Sequence, residues 1–304
     1  MRMRSQLVRC AQILVIAGSS VLLGAAPRAS GGPFQFTAVD VAGATLTVAS
    51  GINAAGDIVG WYVAAGRLHG FVSSGGIVTP IDFPSVDPSN PVVATDARGI
   101  GPGGDIVGTY RLANEPTAVP AHGYRLTRNG EFHRLDHPEH TNTIAQRILP
   151  DGTILGCYHD TDTMETMHGM ITNRAGISGF DMGMSMHNGG TPDGKRIVGL
   201  WADAGNHGHG YLLEHDNFTS FDVPDSLSTA AWDMSARREI VGVYTASDRK
   251  VHGFLVDANW QFTTIDFPGA TVTRTLGINS RGDVVGAYVS GGITHGYIGR
   301  RTDD

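Results

Sequence analysis

Gln261–Tyr297, QFTTIDFPGATVTRTLGINSRGDVVGAYVSGGITHGY, holds one complete copy of a unit that the rest of the chain repeats. Thr273 and Thr275 alternate with apolar neighbours up to Gly277-Ile278-Asn279, the period-2 pattern of a half-buried strand. Arg281-Gly282 marks a turn before a second strand, Asp283–Tyr288, and Gly291-Gly292 marks one before a third, His295–Ile298. A fourth strand, equivalent to Phe262–Phe267, does not follow, because only a short tail to Asp304 remains.

Three short patterns recur in fixed order. Ile-Val-Gly or a close variant ends at Gly60, Gly108, Gly156, Gly199, Gly242 and Gly286, at spacings of 48, 48, 43, 43 and 44 residues. An aromatic stands two residues on: Tyr62, Tyr110, Tyr158, Trp201, Tyr244 and Tyr288. His-Gly recurs at His69, His122, His168, His209, His252 and His295, and an apolar-Asp step at Asp40, Asp82, Asp136, Asp181, Asp222 and Asp266. A fixed period of this length means a repeat architecture, and turn signals every 8–12 residues make each unit all-β.

The strand missing at one end is supplied at the other. Phe34–Val41 matches Phe262–Phe267 and leads into a copy of the following segment. The expected fold is therefore all-β, a six-bladed β-propeller of four-stranded antiparallel blades, closed by residues 34–41 in the last blade. Closure removes the two sheet edges that an open β-solenoid would expose. The expected blades are 44–84, 85–137, 138–182, 183–224, 225–267, and 268–300 with 34–41, in a single domain spanning 27–304.

The order G-I-N-x-x-G-D-I-V-G, then H-G-F, then F-x-x-I-D-F-P-G-A resembles the HAF repeats of predicted extracellular bacterial proteins. Gly51–Phe83 and Phe262–Tyr297 fit best, and the third and fourth units diverge, with Thr153 and Arg196 where Asp57, Asp105 and Asp283 stand elsewhere. The resemblance implies an exported propeller-like protein and brings no catalytic residues with it.

Residues 1–26 read as a bacterial-type signal peptide. Arg2, Arg4 and Arg9 precede an apolar run from Ala11 to Ala26, which is broken by Gly18, Ser19 and Ser20. That run is short for a membrane span of about 20 apolar residues. The expected location is secreted or periplasmic, with cleavage near Ala26 and no stable membrane insertion afterwards; an uncleaved anchor is the alternative. The chain carries a net charge of −7, which disfavours nucleic acid. Of two cysteines only Cys157 remains after cleavage, so no internal disulfide forms and a monomer held by its core is expected.

A feature present in every copy serves the copies' packing more readily than a reaction. The recurring His and Asp are accordingly read as scaffold, the His bonding a neighbouring strand or a recurring Asp. Positions that differ between copies say more. On the innermost strand, alternation predicts a channel-facing set comprising Arg98, Arg147, Arg274, His187, Trp232 and Asp96, and an inter-blade face of Thr47, Thr95, Ile144, Met186, Thr229 and Thr273. Three guanidiniums and an indole suit a carbohydrate or small anionic ligand at the channel mouth; an extracellular protein is the other partner class. A lyase or hydrolase on the same scaffold is the alternative, with the arginines holding a carboxylate and His187 as base. A periplasmic copper protein is the second alternative. Met182, Met184 and Met186 lie beside His187 and near Cys157 in sequence, and thioether, thiolate and imidazole are Cu(I) ligands. His133, Asp136, His137, Glu139 and His140, with Asp160, Asp162 and Glu165, suggest a Zn or Ca site on one rim. G-x-S-x-G, H-E-x-x-H and a P-loop are absent.

Overall fold

The computed structural model describes residues 21–22, 28–31, 33–115, 122–140, 142–160, 167–180, 182–215 and 217–302. Most of the expected export signal thus lies outside the described residues, as do Asp162, Glu165 and Asp181. Among the described residues there is no helix, so none is long and apolar enough to cross a membrane.

Each repeat folds into an antiparallel four-stranded meander. The strands of unit one are Leu46–Ile52, Ile58–Ala64, Arg67–Ser74 and Ile77–Ile81. In unit two they are Val92–Ile100, Ile106–Leu112, His122–Leu126 and Phe132–Leu135. Unit three has Asn142–Ile148, Ile154–His159, Met167–Asn173 and Gly176–Phe180. Unit four has Met184–Gly190, Arg196–Ala202, Gly208–Glu214 and Asn217–Phe221. Unit five has Ser226–Met234, Ile240–Ala246, Val251–Val256 and Phe262–Ile265. Unit six has Val272–Ile278, Val284–Ser290 and Ile293–Arg301, and Phe34–Val39 pairs with the last of these at Gly296↔Val39 and Ile298↔Thr37. The N-terminal strand completes the last unit as expected.

The first strand of each unit packs against the second and third strands of the unit before it, and that of unit one packs against unit six. The first strands also touch one another in sequence around the axis. The architecture is an all-β propeller. The expected six separate blades need a correction, because four blades stand as discrete sheets while units one and two share one nine-stranded sheet. The first strand of unit two begins early and bulges between Val92 and Ala94, which lays Ala94 beside Leu68 in a parallel bridge. Arg28–Gly31 extends the sheet of unit six outward, and Val21–Leu22 pairs with the fourth strand of unit one.

The repeated residues have repeated jobs. Each Ile-Val-Gly glycine faces a bulge in the first strand, where a Cβ at Gly60 would lie 1.9 Å from Val48 O and one at Gly156 would lie 1.8 Å from Ile144 O. The core lies between units, where aromatics such as Phe83 and Tyr110 stack across the junction at 3.8 Å. Thr47, Thr95, Thr143, Thr229 and Thr273 each accept a backbone N–H at the end of the preceding unit, at 2.8 to 3.2 Å. Each such bond contributes about 1 kcal/mol. The His-Gly histidines stack on the recurring aromatic at 4.9 to 5.2 Å. Through Nδ1, five of them donate to the recurring Asp at 2.8 to 3.0 Å. In unit three, His168 bonds Asp160 through Nε2 at 2.9 Å, and its recurring aspartate, Asp181, lies outside the described residues.

Candidate functional site

The bulge fixes which residues are equivalent at the axis. Its extra residue is Ser50, Arg98, Gln146, Asn188, Trp232 or Leu276, and the next position is Gly51, Gly99, Arg147, Gly189, Asp233 or Gly277. Four units carry glycine there, and units three and five carry opposite charges.

Arg147 fills the space those glycines leave. Its Nη1 donates to Arg98 O at 2.7 Å, and its Nη2 donates to Ser50 O at 3.1 Å and Leu276 O at 2.5 Å. Nη2 also lies 3.2 Å from Asp233 Oδ2. One side chain from unit three therefore ties units one, two, five and six. Asp233 accepts two further bonds, from the backbone N–H of Ile278 and of Met234. Burial raises the Asp233 carboxyl above its ordinary value, against the pull of Arg147. The glycines make room: a Cβ on Gly51 would lie 2.9 Å from Arg147 Nη1, and one on Gly189 would lie 2.5 Å from Asp233 Oδ1.

The channel is thus plugged. On the side of the turns between first and second strands, the plug floors a pocket of about 110 Å³ walled by Ile52, Ile100, Ile148, Met234 and Ile278. On the other side Arg98 forms a two-pronged pair with Asp96, its Nε at 3.0 Å and its Nη2 at 2.9 Å from Oδ2. Arg98 also bonds Gln146 and lies 5.7 Å from the Trp61 ring. Trp232 is half-buried in an apolar cluster with Val48, Leu276 and Ala287. Arg274 is exposed.

The predicted channel set is therefore not one site. Arg98 and Asp96 neutralise each other, Arg147 is structural, and Arg274 is an exposed residue of the first strand of unit six. His187 does not face the channel at all. It is buried between units three and four, and burial lowers its pKa to about 4. That removes the base assigned to the lyase reading. Thr143 and Ser185, rather than Ile144 and Met186, hold the inter-blade position of units three and four. Two departures moved the register by one. Unit three has Arg147 where the motif glycine belongs, and unit four has a longer turn, closed by Thr191 N to Arg196 O rather than by the shorter Asn53 N to Asp57 O of unit one.

The rim histidines are committed to local pairs. Asp136 holds His122, and Asp160 holds both His140 and His168. Among the described residues, no group of three or more His, Cys, Asp or Glu is placed to hold a metal.

A wider groove, about 1160 Å³, runs between units two and three on the same face as the axial pocket. Arg125, His133 and Arg134 line it from unit two, and Asp151, Asn173 and Arg174 from unit three. It shares Ile148, Leu149 and Pro150 with the axial pocket, so the two lie side by side. Arg125 is held by Asp105 and Arg134 lies 3.2 Å from Asp136, while Arg174 is exposed. Sequence reasoning missed this groove because its arginines lie on outer strands and turns of neighbouring units.

No family model matches the chain, and no curated protein matches it in sequence. Solved structures do match in fold. A gluconolactonase from Xanthomonas campestris superposes with a TM-score of 0.53 at 11% identity, over 94% of this chain and 99% of that one. A lectin from Aleuria aurantia, solved with Fucα1-6GlcNAc, gives 0.50 at 11% identity over 83% and 90%. TolB from Acinetobacter baumannii gives 0.50 at 14% identity over 71% of this chain and 53% of that one, so this chain spans about half of the TolB it matches. At these identities the likeness is one of fold: the chain is a β-propeller.

Proposed function

We propose that this chain is an exported, monomeric, six-bladed propeller of the HAF-repeat type that binds an anionic, carbohydrate-like ligand on the face of its axial pocket. The observation that carries this reading is the groove between units two and three. Ligand sites are usually about 300–1,000 Å³. The axial pocket, at about 110 Å³, is too small for more than the tip of a ligand, while the groove, at about 1160 Å³, is large enough for several sugar rings. Of its three guanidiniums, Arg125 and Arg134 are already paired with Asp105 and Asp136, and the exposed Arg174 offers the forked donor that carboxylates and sulfates accept. The axial charges, by contrast, are spent on each other.

The six-blade count is supported by the cyclic packing of the six first strands, with the nine-stranded sheet taken as two blades bridged at one point. Export is supported by the composition of residues 1–26. Binding is preferred to catalysis because the side chain assigned as base is buried away from both channel and groove. The lectin's disaccharide makes carbohydrate the first class to screen.

Calorimetric titration with oligogalacturonate and with a neutral oligosaccharide tests the reading. The acidic oligomer binds, more weakly as salt rises, and Arg174→Ala lowers affinity about tenfold, the loss of one charge-assisted contact. Binding that survives Arg174→Ala and Arg134→Ala but fails in Arg274→Ala would return the site to the channel.

A further inference from the structure

One of the groove's arginines belongs to a cluster of ionisable side chains. Arg134 is exposed and lines the groove, with its Nη2 3.2 Å from Asp136 Oδ2 and its Cζ 5.9 Å from the Tyr110 ring centroid. Asp136 also holds His122, the recurring histidine of unit two, whose Nδ1 donates to Oδ1 at 2.9 Å. Unit two adds a second carboxylate to this pair. His122 Nε2 lies 2.6 Å from Glu115 Oε1, and the Leu112 N–H fixes Glu115 by donating to Oε2 at 2.8 Å. The nearest parallel is unit four, where Asp203 lies 3.6 Å from His209 Nε2.

These distances fix which proton titrates. An ionised carboxylate only accepts, so the short contact to Glu115 keeps a proton on Nε2 whether or not the ring is charged. The proton gained or lost is the one on Nδ1. That nitrogen faces two groups of opposite demand, Asp136 Oδ1 at 2.9 Å and Arg134 Nη2 at 3.5 Å. With Nδ1 protonated, the ring donates to Asp136 and repels the guanidinium. With Nδ1 bare, the ring repels the carboxylate and accepts from Arg134. Burial opposes the charged ring, but the bonds and charges of Asp136 and Glu115 outweigh it and raise the His122 pKa. Tyr110 stacks on His122 at 4.9 Å, and burial pushes its phenol up, so it stays neutral. The first strand of unit three, packed against the His122 strand, carries one charged residue, Arg147, which is spent in the axial plug. His137 and His140, next along the chain, stack on Tyr158 of unit three instead.

We propose that His122 is a protonation switch that sets, through Arg134, how firmly the groove holds an anion. When His122 is charged it neutralises Asp136, and the Arg134 guanidinium is free to donate to a carboxylate or sulfate in the groove. When His122 is neutral, Asp136 and Nδ1 together hold the guanidinium, and the anion loses that contact. The groove therefore binds its ligand more tightly in mild acid and releases it as pH rises through the His122 titration. His122 touches no ligand and acts as a positioning residue. The effect on binding rests on the groove being the ligand site; the exchange of partners at Nδ1 does not.

Two measurements on the full chain separate those claims. The first needs no ligand and follows the His122 ring nitrogens and the Arg134 guanidinium of the wild-type chain by nitrogen NMR as pH is raised. Nε2 stays protonated, Nδ1 moves to the shift of a bare nitrogen, and solvent exchange at the Arg134 Nη groups slows at the same midpoint. An Arg134 signal that does not follow His122 would overturn the switch. The second is calorimetry with a sulfated oligosaccharide, whose charge does not change with pH. It is read in a His133→Asn background, which removes the other imidazole lining the groove. Affinity falls about threefold across the His122 midpoint, the size of one exposed charged contact. Adding His122→Gln or Arg134→Gln flattens that profile, and a profile that persists in His122→Gln would also overturn the switch. Absence of binding at every pH would overturn the groove reading and the ligand half of the proposal, and the exchange of partners would then stand or fall on the Arg134 signal.

Discussion

The shell of the propeller and its axis are built on opposite rules. In the shell the same bond recurs from unit to unit. A threonine accepts the backbone N–H of the preceding unit, and an aromatic supports a histidine that pairs with an aspartate. At the axis no two interactions are alike, and one side chain, Arg147, replaces what symmetry would have left as a hole. Repeated contacts spread stability over six junctions, so each is small. The axial contact is single, buried and shared by most units, so its loss has nowhere to be absorbed.

Substitutions can break that contrast. The largest effect belongs to Arg147→Ala, which strands Asp233 and three carbonyl groups in the core and costs about 3–5 kcal/mol of unfolding free energy in urea titration. Pairing Arg147→Met with Asp233→Leu recovers much of that loss, because no buried charge is then left alone. A loss as small as that of a shell substitution would show that the axis is not special.

Acid probes the unit three–four junction. In the folded chain burial keeps His187 neutral down to pH about 4, whereas the unfolded chain protonates it near its ordinary value of 6.5. The stability held by the neutral ring is complete above pH 6.5 and is lost as pH falls toward 4, up to about 3 kcal/mol. His187→Leu flattens that limb of the pH–stability curve. For His122 burial opposes the charge, but Asp136 and Glu115 outweigh it and raise the pKa. Its contribution therefore runs the other way, present below the ordinary value and lost as pH rises through the raised one.

The glycines give a finer comparison. Gly189→Ala drives a methyl against Asp233 and costs about 1–3 kcal/mol, whereas Gly103→Ala, with nothing within 4 Å of its Cβ, leaves the melting temperature nearly unchanged. Among shell residues, Thr273→Val removes the acceptor of Phe267 N and costs about 1–2 kcal/mol. Asp266→Asn weakens an exposed pair with His252 and costs under about 1 kcal/mol.

What was legible in the sequence follows the same division. Gly60 and its five counterparts, the His-Asp pairs and the closing strand at Phe34–Val39 were readable because each recurs at a fixed offset. The axis was only partly readable. Arg147 occupies the place of a motif glycine, so counting from the motif put it one position early. The longer turn at Thr191–Arg196 moved His187 in the same way, from the inter-blade face to the channel face. The bulge itself cannot be seen in a hydrophobic pattern, since its extra residue varies from Ser50 to Trp232. The sheet shared by units one and two was equally hidden, because it depends on where Ala94 lies relative to Leu68.

A double-mutant cycle on Arg147 and Asp233, read by urea unfolding of Arg147→Met, Asp233→Leu and the pair, tests the plugged axis most directly. The account predicts a coupling of at least about 1.5 kcal/mol, beyond the ~0.5 kcal/mol within which independent sites add. Additive effects would mean that Arg147 and Asp233 do not hold each other, and that the channel is open to ligand after all.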